Sequence, residues 1–199
     1  MRFAVLQFPG SNCDQDCVHV LGNVLGHDTR LLWHKETSLG DVDAVFIPGG
    51  FSYGDDVAAG RILGNQIRHH LTEAMLEFRS AGKLILGICN GFQVLIKSGM
   101  LLGDGSAIAS ATGTDDRATL TWNDSGRFED RWVHLSACSK TSPLLSGIDA
   151  MYLPVAHAEG KFVTSSESVL DELEQAGQLV LRYTCLLYTS DAADDTPCV

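Results

Sequence analysis

The sequence predicts an α/β fold in which an open, mostly parallel sheet carries helices on both faces. Three observations predict it. Short apolar runs of β-leaning residues alternate with stretches of helical periodicity through the first hundred residues. Most of those runs stop at glycine or proline. One run, 84–88 (Leu-Ile-Leu-Gly-Ile), is apolar throughout, as expected of a strand buried on both faces of a parallel sheet.

Taken in order, residues 2–8 form the first predicted strand, ended by Pro9-Gly10. Cys17, Val18, Val20, Leu21, Val24 and Leu25 recur at helical spacing, and Gly26 closes that helix. Residues 29–33 and 43–47 are further strands, the second stopped by Pro48-Gly49-Gly50. A long helix is expected over 62–81 with Gly82 as its stop, then the strand 84–88 and a helix over 90–97. Strands separated by helices in this way build βαβ units. After Gly99 the pattern loosens: 118–122, 131–135, 151–155 and 179–183 read as strands, and 169–175 as a short helix. No repeat or low-complexity linker marks a second domain.

Composition narrows the function classes. Acidic residues outnumber basic ones 25 to 14, giving a net charge of −11, which disfavours nucleic-acid binding. No apolar run approaches the ~18–20 residues that span a bilayer, so no membrane role is expected. The N-terminal apolar run is too short for a signal peptide, and six cysteines without one point to reduced thiols in the cytoplasm.

The last fifteen residues change character. From Cys185 the text reads CLLYTSDAADDTPCV, which matches a one-frame translation of a transposon-end sequencing adapter. The native domain is therefore expected over 1–184, incomplete at its C-terminus, with 185–199 not native. Removing Asp191, Asp194 and Asp195 from the balance of −11 leaves −8, so the chain stays acidic.

One motif carries the chemistry. Gly87-Ile88-Cys89-Asn90-Gly91-Phe92-Gln93 follows the apolar strand directly. A nucleophile with glycine two positions to either side is the nucleophile-elbow pattern, where a strand turns sharply into a helix and side chains at the flanking positions would collide. The turn would set the Cys89 sulfur at the carboxyl edge of the sheet, where open α/β sheets bind ligands, and at a helix N-terminus, which favours the attacking thiolate. The motif alone is also compatible with a structural cysteine in a glycine-containing turn.

A second glycine-rich segment, Pro48-Gly49-Gly50-Phe51-Ser52-Tyr53-Gly54-Asp55, leaves another predicted strand at the same edge. Its Gly50 N–H and the Asn90 N–H would make an oxyanion hole, each donor typically being worth ~3–4 kcal/mol in the transition state. On its own the segment is equally an ordinary glycine-rich loop.

The Gly-Ile-Cys-Asn-Gly-Phe-Gln run resembles the nucleophile box of the class I glutamine amidotransferases. Pro9-Gly10-Ser11-Asn12-Cys13-Asp14, Trp33-His34, the 48–55 loop and Pro154-Val155-Ala156-His157-Ala158-Glu159-Gly160 are similar to one branch of that family. That branch supplies ammonia to an ATP-dependent synthetase of purine biosynthesis. The resemblance covers 1 to about 184, and the start at Met1 with a strand matches a stand-alone subunit. It implies a flavodoxin-like class I amidotransferase fold lacking its C-terminal part. It also implies Cys89 as nucleophile toward glutamine, Gly50 and Asn90 as oxyanion donors, and Gln93 as a substrate contact. Ammonia would pass to a large synthetase subunit completed by a small adaptor. No phosphate-cradling loop occurs here, so no cofactor is expected in this subunit, and ATP and magnesium would belong to the partner.

The family completes its Cys-His-Glu triad with a Pro-His-Pro-Glu-like motif near the C-terminus, which this sequence lacks. His157, with Glu159 two residues on, is the weak substitute as triad base. The expectation is an active parent gene and little or no glutaminase turnover by the 199-residue chain. Other readings are a non-catalytic subunit that docks on the synthetase, or another cysteine hydrolase of the same fold. No metal is expected: Cys13 and Cys17 stand four apart without a second pair, and His69-His70 point to different helix faces. Asp115-Asp116 and Asn123-Asp124-Ser125-Gly126 read as surface loops.

Overall fold

The computed structural model describes residues 1–102, 117–138 and 142–184. The 185–199 tail and the Asp115-Asp116 loop lie outside the described residues. The chain divides into two compact units, Met1–Thr121 with Glu159–Val163, and Trp122–Ala158 with Thr164–Val199.

The first unit is built on a four-stranded, wholly parallel sheet. Its strands are β1 (Arg2–Gln7), β2 (Asp28–Trp33), β3 (Ala44–Ile47) and β4 (Leu84–Gly87), in the spatial order β2-β1-β3-β4. Alternation along β1 sorts its side chains to two faces. Ala4 and Leu6 join Val45, Ile47 and Leu32 under Leu63, Ile67, Leu71, Met75 and Leu95, while Phe3 and Val5 pack with Ala44 and Leu21. Helices therefore cover both faces, as the sequence predicts. They are α1 (Asp14–Val18), running into a π-helical turn His19–Val24, on one side, and α2 (Arg61–His70), α3 (Thr72–Ser80) and α4 (Asn90–Lys97) on the other.

Three elements differ from expectation. The single helix over 62–81 is two, because buried Leu71 leaves helical geometry at φ −119° and the Thr72 hydroxyl donates to the Arg68 carbonyl at 2.6 Å. β4 is not buried on both faces: it is the outer strand of the sheet, its four residues are half-buried, and Ile88 just beyond it is exposed. Lys161–Thr164, not anticipated, forms a strand (β8) paired with β5 (Ala118–Thr121).

The second unit is a three-stranded sheet ordered β7-β6-β9. β6 (Glu129–Ala137) pairs antiparallel with both β7 (Ala150–His157) and β9 (Leu181–Thr184). Helix α5 (Glu167–Gln175) is capped by Ser166, whose hydroxyl accepts from the Val169 N–H. The 123–126 turn forms as predicted, the Gly126 N–H donating to the Asn123 carbonyl at 2.9 Å.

What positions chemistry is the strand order of the first unit. β2 and β3 lie on opposite sides of β1, so the connections leaving β1 and β3 diverge to opposite faces and a crevice opens between them at the carboxyl edge. The segments 9–13 and 48–55 start there, joined by a bridge between Ser11 and Gly50.

Candidate active site

At the carboxyl end of β4 the backbone turns through Cys89, an exposed cysteine with φ 53° and ψ −115°. Positive φ is costly for a residue with a side chain, and strain of this kind persists only where the surroundings enforce it. Both flanking glycines enforce it. A methyl group on Gly87 would lie 2.5 Å from the Gly91 carbonyl oxygen, and one on Gly91 would lie 1.9 Å from the Ile47 carbonyl oxygen. Strand and helix thus approach more closely than any side chain at 87 or 91 allows. Cys89 is the N-cap of α4, and its carbonyl accepts from the N–H groups of Phe92 and Gln93 at 3.0 and 3.2 Å. Asn90, the first helical residue, has an N–H that helix geometry leaves without an intrahelical acceptor.

The glycine loop after β3 lies against this turn. A methyl group on Gly49 would sit 3.4 Å from the Cys89 Cβ and 3.6 Å from the Cys13 sulfur. At the Ser11–Gly50 bridge the bonds come from the flanking residues: Phe51 N–H donates to the Gly10 carbonyl at 2.8 Å and Asn12 N–H to the Gly49 carbonyl at 3.3 Å. The Gly50 N–H is therefore outside the bridge's own bonding. Gly50 has φ +147°, and a methyl group there would lie 2.3 Å from the Gly10 carbonyl oxygen, so only glycine fits. Tyr53 and Asp55 also take positive φ, at 54° and 53°.

Buried polar groups join loop and turn. The fully buried Asn90 carboxamide accepts from the Ser52 N–H at 3.1 Å, and donates to Asp55 Oδ1 at 3.2 Å and to Gln93 Oε1 at 2.9 Å. Gln93 Nε2 donates to the Glu159 carbonyl at 2.9 Å, and the Glu159 carboxylate accepts from the Ala59 N–H. Burial, above all, raises the Asp55 pKa, and the neighbouring Glu159 and Asp56 charges push the same way. Burial also raises the Cys13 thiol, with Asp16 adding to it, so Cys13 stays protonated at neutral pH.

These surroundings carry the marks of an amidotransferase, and the comparisons with known proteins agree. A family model described as a CobB/CobQ-like glutamine amidotransferase domain matches residues 1–197. The chain belongs to this glutamine amidotransferase family. It is 39% identical over 186 residues to the phosphoribosylformylglycinamidine synthase subunit PurQ of Methanosarcina mazei, covering 92% of this chain and 72% of that protein. The subunit of the same name from Trichormus variabilis is 39% identical over 183 residues, covering 92% and 75%. Among solved structures, a chain of the PurLQS structure from Thermotoga maritima superposes with a TM-score of 0.70 at 30% identity, over 92% of this chain and 74% of that one.

Of the residues singled out in the sequence, this amidotransferase brings Cys89, Asn90, Gln93 and the Gly50 loop together in its first unit. Gln93 is nearly buried, and both ends of its amide are engaged within the protein. His157 belongs to the second unit, where its Nδ1 lies 3.0 Å from Asn123 Oδ1 and burial lowers its pKa. Glu159, its sequence neighbour, belongs to the first unit. The sequence did not single out Ser52 or Asp55 individually, although both fall inside the 48–55 motif. Cys13 belongs to the 9–14 segment that carries the resemblance, and among the described residues no group of three or more His, Cys, Asp or Glu could hold a metal ion.

His34 shows how the loop is braced from beneath. Fully buried, it meets the Tyr53 hydroxyl through Nε2 at 2.7 Å, while its Nδ1 has no hydrogen-bond partner among the described residues. Burial lowers its pKa below the ordinary 6.5. The unfolded chain then takes up this proton first as pH falls, so stability from a neutral His34 is present above pH 6.5 and is lost on acidification toward the lowered folded value. Melting curves of the unsubstituted chain and His34→Gln should therefore converge as pH is lowered from about 7 to 5. A gap that stays constant or widens would contradict the burial argument.

Proposed function

We infer that Cys89 is the nucleophile with which the glutaminase subunit of a phosphoribosylformylglycinamidine synthase hydrolyses glutamine to glutamate and ammonia in de novo purine biosynthesis; without a Pro-His-Pro-Glu-like motif, the 199-residue chain itself should turn over little or no glutamine. The single observation that carries the site is the elbow: an exposed cysteine at positive φ, enforced by two glycines with no room for a side chain. Support for the pathway comes from the kinship with subunits of that synthase.

In this reading the Cys89 thiolate attacks the side-chain amide carbon of glutamine, giving a tetrahedral oxyanion held by the N–H groups of Gly50 and Asn90. Collapse of the intermediate expels ammonia, its nitrogen taking up a proton, and leaves a γ-glutamyl thioester. Water cleaves that thioester to glutamate and returns the thiol. Gln93 borders the substrate and steadies Asn90. His157 is the weaker assignment, as base. The amidotransferase domain is assigned to 1–184, and 185–199 is read as an adapter translation that is not native.

Ammonia passes to a large synthetase subunit, which uses ATP and magnesium to convert formylglycinamide ribonucleotide to formylglycinamidine ribonucleotide, and a small adaptor subunit joins the pair. In this reading the subunit supplies no cofactor of its own and works in the cytoplasm.

A chloromethyl ketone analogue of glutamine tests the reading, because its single reaction needs the thiolate and the oxyanion donors but no general base for turnover. The sulfur adds to the ketone carbon, giving an oxyanion, and then passes to the neighbouring chloromethyl carbon: the carbon–chlorine bond breaks, chloride leaves, the carbonyl re-forms and a stable carbon–sulfur bond remains. Intact-mass measurement should show one adduct, peptide mapping should place it on Cys89, and excess glutamine should slow its formation. Labelling that is indifferent to glutamine would overturn the assignment.

A further inference from the structure

The Asn90 side chain has a role that its backbone does not. We propose that the Asn90 carboxamide is a positioning residue: it locks the 49–55 loop onto the nucleophile turn, so that the two oxyanion donors, Gly50 N–H and Asn90 N–H, are held in register. This rests on the reading of Cys89 as the nucleophile and of those two groups as donors.

The argument is one of donor and acceptor count. The loop holds Gly50, Tyr53, Gly54 and Asp55 at positive φ, which is costly at Tyr53 and Asp55 because they carry side chains, so those two positions need external restraint. On the β1 side the loop is tied by backbone bonds, among them those from Phe51 N–H to Gly10 and from Tyr53 N–H to Pro9. On the side of α4 Asn90 makes two ties, accepting from Ser52 N–H and donating to Asp55 Oδ1. Its second amide hydrogen goes to Gln93 Oε1, which fixes the carboxamide plane. The site thus needs one acceptor and two donors on a short stem, which only asparagine supplies. Aspartate has the shape and the acceptor, but it would set a carboxylate against Asp55 Oδ1 and Gln93 Oε1 with no hydrogen to give. Leucine keeps the volume but removes the bonds to the Ser52 N–H and Gln93 Oε1 and leaves Asp55 Oδ1 with the Gly60 N–H in place of two donors.

The arrangement also explains Asp55. It accepts from the Gly60 N–H as well as from Asn90, and Gly60 packs on α4 so closely that a methyl group there would lie 2.7 Å from the Val94 nitrogen. Asn90 therefore sits where the loop, the start of α2 and the start of α4 converge, and movement of its carboxamide would be felt first in the 50–55 backbone.

The test compares two electrophiles on the same folded protein. The glutamine chloromethyl ketone passes through an oxyanion and reads the register of the two donors; iodoacetamide reads only the thiolate and its exposure. Asn90→Asp should lower the maximal labelling rate by the ketone about 10- to 100-fold, less than the full loss of a donor, with half-saturation changed by less than about threefold. Iodoacetamide labelling should stay within about threefold. The double variant Asn90→Asp with Asp55→Asn reverses the donor and acceptor at that contact and should recover part of the lost rate. If Asn90→Asp does not fold, Asp55→Ala, which removes one of the two ties, gives the second reading and should show the same split to a smaller degree.

Ketone and iodoacetamide rates falling together, or an unchanged ketone rate in Asn90→Asp, would overturn the positioning role and leave the nucleophile assignment standing. Failure of the unsubstituted chain to label with the ketone in a glutamine-protected way would instead remove the reading on which the role rests.

Discussion

Cys89→Gly should be more stable than the unsubstituted chain while losing all reaction with the glutamine analogue. Residue 89 holds φ 53° and ψ −115°. Strain of this kind costs a side-chain-bearing residue about 1–3 kcal/mol, whereas glycine adopts it freely. Glycine also gains freedom in the unfolded state, which returns about 0.5–1 kcal/mol to the other side of the balance. A net gain of about 1 kcal/mol remains, or about 2–4 °C in Tm for a chain of this size. Cys89→Ala, which keeps a Cβ and hence the strain, should lose the labelling without the gain. The pair separates two contributions of one residue: the sulfur does chemistry, and the geometry that presents it works against stability. Equal melting temperatures for the two variants would show that position 89 carries no strain. Cys13, the nearby thiol that burial keeps protonated, should not take over the label.

Gly91→Ala should be the most damaging single methyl group in the molecule. Gly91 is buried, and the added carbon would lie 1.9 Å from the Ile47 carbonyl oxygen and 2.7 Å from the Ile47 carbonyl carbon. Both contacts are with backbone of a central strand, so no flexible side chain can give way. Overpacking typically costs 1–3 kcal/mol; with the obstacle in the main chain the expected loss is about 3 kcal/mol or more. That corresponds to a fall of about 6–12 °C in Tm. Displacement of α4 from β3 would also move Cys89, so labelling by the glutamine analogue should fall in whatever fraction stays folded. Gly22→Ala is the control: the nearest atom to its added methyl group is 3.7 Å away, and φ there is ordinary. It should be neutral or stabilising, by up to about 1 kcal/mol. A Gly91→Ala protein melting within about 2 °C of the parent would mean that strand and helix are less closely held than described.

The contrast between these glycines shows what a sequence can and cannot convey. Gly87 and Gly91 were legible because the reason for them is local: a nucleophile between two glycines, straight after an apolar run, specifies its own turn. The four parallel strands were legible for a similar reason, each being a short β-leaning run and two of them ending at a proline–glycine stop. The outer position of β4 was not, since a run of apolar residues says nothing about how many neighbours it has. The break at Leu71 was hidden because no glycine or proline marks it; a threonine hydroxyl and tertiary packing produce it. β8 has only four residues, too few for alternation to register.

Within the candidate site, Cys89 and the glycine loop could be read from short motifs. The work of the Asn90 side chain could not, because its partners Ser52 and Asp55 lie 38 and 35 residues away and meet it only when the sheet forms. Gln93 falls between these cases. Its place one turn into α4 was predictable, but the engagement of both ends of its amide, with Asn90 and with Glu159, depends on tertiary approach.

The central claim is that Cys89 attacks a glutamine carbonyl whose oxygen is received by Gly50 and Asn90. A crystal structure of the glutamine chloromethyl ketone adduct tests it most directly. The account predicts a bond to the Cys89 sulfur and a ketone oxygen within about 3 Å of both N–H groups. An adduct on another cysteine, or a Cys89 adduct whose oxygen points away from Gly50 and Asn90, would contradict it.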